Sequence, residues 1–227
     1  MKIAIYGDSF GANPIGVKNY AMYPHVQSSW WEMLSAKYNV INFCEWSASL
    51  LFSTDQFIKT HEKFDKIIFL VTHPGRITVK DNEKNRHFVN YEYSTFWKKD
   101  AKKQGWSNLL DSVLSYYKHI DNNEYATVQH YSYLTYIQSI RSDIFLIPCF
   151  GHSFKNNFSL CDIFDKEQEF WNISYNVEKL DIRKGHLTNP NHNVLFNVFD
   201  KMIQTDKLSI SIDMFKNPDL PKEKYIL

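Results

Sequence analysis

Residues 65–72 read DKIIFLVT, a continuous Ile-Ile-Phe-Leu-Val run with a charged pair before it and the breaker HPGR after it. An apolar stretch this short with no polar alternation fits a strand covered on both faces, which is the condition of a strand in a parallel sheet. Parallel strands need a crossover between each pair, so the rest of the chain must alternate strands with helices. KIAIY at 2–6, NVINF at 39–43 and DIFLIPCF at 143–150 supply the other strands. Between them, PHVQSSWWEMLSAKY at 24–38 sets Val26, Trp30, Met33 and Leu34 at helical spacing behind Pro24. STDQFIKTHEKF at 53–64 offers a Ser or Thr cap and turns Phe57 and Ile58 inward.

Further helices are predicted over SNLLDSVLSYYKHI, over EYATVQHYSYLTYIQSIR and, entered through Pro190, over 189–205. Residues 76–106 are polar and aromatic without a period and read as an insertion or lid-like excursion. Residues 151–180 read as a long loop with a helical turn, and 206–227 as a tail carrying a strand-like LSISI. With right-handed crossovers this pattern predicts a three-layer α/β/α sandwich, one domain over 1–205 followed by the tail.

Composition removes several classes of function. Lys and Arg number 26 against 25 Asp and Glu, so no charge excess calls for nucleic acid or an anionic membrane. Cys44, Cys149 and Cys161 are an odd set with no CxxC pair, which argues against a disulfide framework and against zinc. No stretch approaches the ~20 apolar residues of a membrane span, and the start lacks a basic segment followed by an apolar one, so a cytoplasmic protein is expected. Neither GxGxxG nor GxxxxGK[ST] occurs, and no cofactor is expected. Aromatic residues make up 16% of the chain, enough either to fill the core of a glycine-poor protein or to stack on sugars.

Ligands of open parallel sheets sit beyond the carboxyl ends of the strands, which puts Ser9, Ser47, His73 and the loop after Phe150 on one rim. GDS at 7–9 follows the first strand directly. These are ordinary turn residues, and a catalytic Ser9 needs a base and a group to orient that base. Of nine histidines, His186 lies in the loop of DIRKGHLTNPNHNVLF just before the last helix, and His152 after the fourth strand is its rival.

IYGDSF near the start and GHLTNPNH near the last helix resemble the first and last signature blocks of the SGNH, or GDSL, hydrolase family. That resemblance implies a flavodoxin-like sheet, Ser9 as nucleophile and His186 as base, with His192 as the second histidine of the block. It also implies an oxyanion hole from the N–H groups of Ser9 and of Ser47, which stands in the family's glycine position without glycine's backbone range. The family's asparagine is absent from VTHPGR, so Thr72 or His73 takes its place. The triad acid is displaced as well: Arg183 stands where it is usual, and Asp181 is nearest in DIRKGHL, an ending similar to those of phage-like relatives. A Ser-His dyad is the alternative. The substrate implied is a small-molecule or carbohydrate ester, O-acetyl groups preferred, with Arg76 gripping an anionic group or anchoring a loop. The altered positions keep a second expectation open, a binding or structural protein that retains only the fold.

Overall fold

The computed structural model describes residues 1–12, 28–81, 84–88, 94–119, 123–150, 160, 189–207, 210–211 and 214–215. Strands β1 (Lys2–Tyr6), β2 (Asn39–Asn42), β3 (Lys66–Val71) and β6 (Ile144–Pro148) form one sheet in the order β2-β1-β3-β6, with every pairing parallel. The remaining strands, β4 (Ile77–Asp81) and β5 (Lys84–Phe88), make a separate antiparallel hairpin. Helices α1 (Trp30–Ser35), α2 (Leu50–Thr60), α3 (Ser94–Gln104), α4 (Ser107–His119), α5 (Asn123–Ile140) and α6 (Asn189–Thr205) complete the regular structure.

Strand alternation divides the sheet's side chains between two cores. Ile3 and Ile5 of β1 and Ile68 and Leu70 of β3 pack with Trp30 and Leu34 of α1 and with Leu195, Phe199 and Met202 of α6. On the opposite face Ala4, Tyr6, Ile67, Phe69 and Val71 meet Phe57 of α2 and Leu134 and Ile137 of α5. The unbroken apolar run of β3 follows from this, because neither of its faces meets water. The chain is thus an α/β protein with a parallel sheet and helices packed on both sides of it. Much of the aromatic content lies in these cores: the Tyr6 ring stacks on Phe43 at 5.0 Å and meets Phe57 edge-on at 5.7 Å.

Two local expectations are corrected. Helix α1 starts at Trp30, where Ser29 accepts from the Glu32 N–H and the Glu32 carboxylate takes the Ser29 N–H at 2.7 Å, a reciprocal cap; Pro24 lies outside the described residues. Helix α2 is capped by Ser49, whose extended backbone and acceptance from the Phe52 N–H put Ser53 and Thr54 inside the helix. Phe57 is buried there, but Ile58 is 44% exposed. Residues 76–106 carry regular structure, the β4–β5 hairpin and α3, which share with α4 a third core of Phe88, Ala101, Trp106, Leu110 and Val113. LSISI and the 151–180 loop fall largely outside the described residues. Among the described residues no helix is long and apolar enough to cross a membrane.

Candidate functional site

The chain leaves β1 through Gly7, whose φ is +143°. A Cβ there would stand 2.5 Å from Leu70 Cβ and 2.7 Å from the Leu70 carbonyl, so the turn passes too close to β3 for any other residue. The next residues wind into a tight turn. The Asp8 carbonyl accepts from the Gly11 and Ala12 N–H groups, and Asp8 Oδ1 accepts from the Phe10 N–H at 3.1 Å. Ser9 sits at the head of this turn, 9% exposed, and no described side chain hydrogen-bonds its hydroxyl.

Asp8 beside it is fully buried, and its other oxygen accepts from Thr72 Oγ1 at 2.8 Å and from Arg76 Nη1 at 2.7 Å. The Arg76 guanidinium lies 4.7 Å over the Phe150 ring, with its side chain 8% exposed. Its charge therefore answers a buried carboxylate at the base of the Ser9 turn. Removing one member of such a pair costs about 3–5 kcal/mol, because the other is left charged in a poor solvent.

Ser47 stands on the adjacent turn after β2 with φ +60°, the left-handed conformation glycine would adopt freely. Ser47 thus holds, at this one position, a left-handed φ without glycine's wider range of backbone angles. The Glu45 N–H reaches the Gly7 carbonyl at 3.4 Å and Asn42 Nδ2 reaches the Gly11 carbonyl at 2.6 Å, which ties the Ser47 turn to the Ser9 turn. Among the described residues, neither the Ser9 nor the Ser47 N–H has an acceptor. The two candidates for the third donor differ. The Thr72 hydroxyl proton goes to Asp8. His73 Nδ1 accepts from the Gly75 N–H at 3.1 Å.

His186, Asp181 and the rival His152 lie outside the described residues. The end of α6 that follows His186 in the chain is described, and it is fastened to the Ser9 turn. His192 Nδ1 accepts from the Trp30 N–H at 3.3 Å, while Trp30 Nε1 donates to the Phe10 carbonyl at 2.9 Å. Trp30, fully buried against Phe199 at 4.6 Å, thus joins the turn after β1 to α6.

Burial favours the neutral forms of Cys44 and His130. Burial, together with the Asp8 carboxylate, pushes the Cys44 thiol well above its ordinary range. Burial and the neighbouring His73 imidazole lower His130 of α5 to about 4. Cys44 and Cys149 are free thiols, and among the described residues no group of three or more His, Cys, Asp or Glu side chains is placed to hold a metal.

One arrangement has no local signal in the sequence. The Phe52 N–H donates to Ser49 Oγ, Ser49 Oγ donates to Thr78 Oγ1 at 2.8 Å, and Thr78 Oγ1 lies 2.8 Å from His87 Nδ1. His87 Nε2 lies 2.8 Å from Glu45 Oε2. Only the residue types within 76–106 hint at it, and nothing in their spacing pairs them with residues 45–49.

No family model, curated protein or solved structure matches the chain.

Proposed function

We propose that the chain is a serine esterase of the SGNH type, acting on a carboxylic ester such as an O-acetyl group on a carbohydrate. The observation that carries the reading is the pair of N–H groups at Ser9 and Ser47, on joined turns at the carboxyl ends of β1 and β2, both without described acceptors beside an unengaged serine hydroxyl. An oxyanion hole needs such donors held ready and unspent. In this reading Ser9 Oγ attacks the ester carbonyl as His186 takes its proton, and the oxyanion is held by the N–H groups of Ser9 and Ser47, helped by Thr72 or His73. Collapse expels the alcohol, protonated by His186, and water then releases the acid by the same route. Asp181 orients His186. Two residues separate His186 from Asn189, so the three steps between them reach at most about 10 Å, and the fastening of α6 to the Ser9 turn supports that pairing.

A second reading, a binding or structural protein that keeps the fold, is favoured by the commitment of Thr72 to Asp8 where the family has a free asparagine donor. Hydrolysis of a short-chain aryl ester separates the two. Wild type is expected to turn the ester over and to take up a fluorophosphonate at Ser9, with Ser9→Ala losing both and His186→Ala losing at least roughly a thousandfold in kcat. A wild type that neither hydrolyses nor labels leaves the binding reading, and turnover that survives Ser9→Ala sinks the esterase.

A further inference from the structure

The Ser47 turn is held on two sides. Toward the sheet, the Glu45 N–H and Asn42 Nδ2 bond carbonyls of the Ser9 turn. Away from it, both ends of the turn are bonded to the hairpin: Glu45 to His87 of β5, and Ser49 to Thr78 of β4 through its N–H at 3.1 Å and its hydroxyl at 2.8 Å.

The directions of these bonds are fixed by proton count. Thr78 Oγ1 receives two protons from Ser49, so its own proton goes to His87 Nδ1, and His87 Nε2–H must then donate to Glu45. Donors and acceptors run one way from the α2 N-terminus to a carboxylate, an order in which each bond polarises the next. The His87 ring is also braced edge-on against Phe52 at 5.1 Å. Between the two anchors lies Ser47, whose left-handed backbone costs a β-carbon-bearing residue about 1–3 kcal/mol and persists only where the surroundings impose it.

We infer that the β4–β5 hairpin is a clamp that holds the oxyanion turn, with Thr78 and His87 as positioning residues that keep the Ser47 N–H aimed at the reacting carbonyl. The inference rests on the esterase reading for its catalytic consequence, but the clamp itself is a statement about backbone order.

Thr78→Val keeps the shape and removes the hydroxyl, Thr78→Ser restores it, and His87→Phe keeps the ring against Phe52 without its nitrogens. In hydrogen exchange, Thr78→Val and His87→Phe are expected to speed exchange of the Glu45 and Ala48 amides about tenfold, the loss of roughly one hydrogen bond's free energy, with β1 and β3 amides unchanged and Thr78→Ser like wild type. In ester turnover the same two variants are expected to lose roughly tenfold to a hundredfold in kcat at unaltered KM, with Thr78→Ser restoring kcat. Wild-type exchange at Glu45 and Ala48 in both Thr78→Val and His87→Phe overturns the clamp whether or not the protein is an enzyme. Faster exchange with undiminished kcat overturns the positioning role. An inactive wild type whose exchange responds as expected overturns the esterase reading and leaves the clamp standing.

Discussion

A buried histidine of α5 couples the stability of the fold to pH. His130 is 3% exposed, and among the described residues its Nε2 has no hydrogen-bond partner. Burial, then the neighbouring His73, lowers it from 6.5 to about 4. Between these two values the unfolded chain binds a proton that the folded chain refuses, so stability rises with pH across that window. The fold should be about 3 kcal/mol weaker at pH 4 than at pH 7 on account of this residue, with the loss beginning as pH falls through 6.5. Urea titrations of wild type and His130→Leu at both pH values test this: the variant's stability should change less between them, and equal slopes would remove His130 as the cause. Gly7 and Asp8 show the same economy of space in another form, since one admits no side chain and the other only a charge matched by Arg76.

At the scale of elements, the short helix α1 depends on its first turn. Six residues are too few to hold a helix by propagation alone, so the Ser29–Glu32 cap and the packing of Trp30 and Leu34 must define it. Ser29→Ala is expected to cost about 1 kcal/mol, measured as a lowered urea midpoint at unchanged slope, and Ser29→Asp to recover most of it. Elements defined by their own residues were legible in the sequence: the apolar run of β3 and the α6 span 189–205 both follow from local pattern. The start of α2 was not, because Ser47, Ser49, Ser53 and Thr54 are all plausible caps by type and only backbone angles choose Ser49. The hairpin was hidden for a related reason. As a two-stranded ribbon it buries mainly Phe88, so neither strand carries a full alternating stripe. For the site, GDS and its place after β1 could be read directly. The bonds that shape it could not, since Thr78 meets Ser49 across 29 residues, His87 meets Glu45 across 42, and Arg76 meets Asp8 across 68. Spacing carries no information about contacts made only by the assembled sheet.

At the scale of the whole molecule, the two ends of the chain meet at one side chain. Trp30 donates from its indole to the Phe10 carbonyl near the start and from its backbone N–H to Nδ1 of His192, 162 residues later. Helix α1 therefore ties the turn after β1 to α6. Trp30→Phe keeps an aromatic ring against Phe199 but leaves the buried Phe10 carbonyl without its donor and opens a small void. Together these should cost about 2–4 kcal/mol in urea unfolding. The effect on the site should exceed the effect on stability. In buffer without denaturant, where the variant is still folded, the Ser9 turn loses its tie to α6, and fluorophosphonate labelling of Ser9 should slow roughly tenfold to a hundredfold. A conservative core change remote from the turn, Ile137→Val in α5, should leave labelling at the wild-type rate while lowering stability by about 1 kcal/mol. Equal labelling in Trp30→Phe and Ile137→Val would mean that Trp30 contributes only packing; a deficit confined to Trp30→Phe makes the indole the link that sets the position of Ser9.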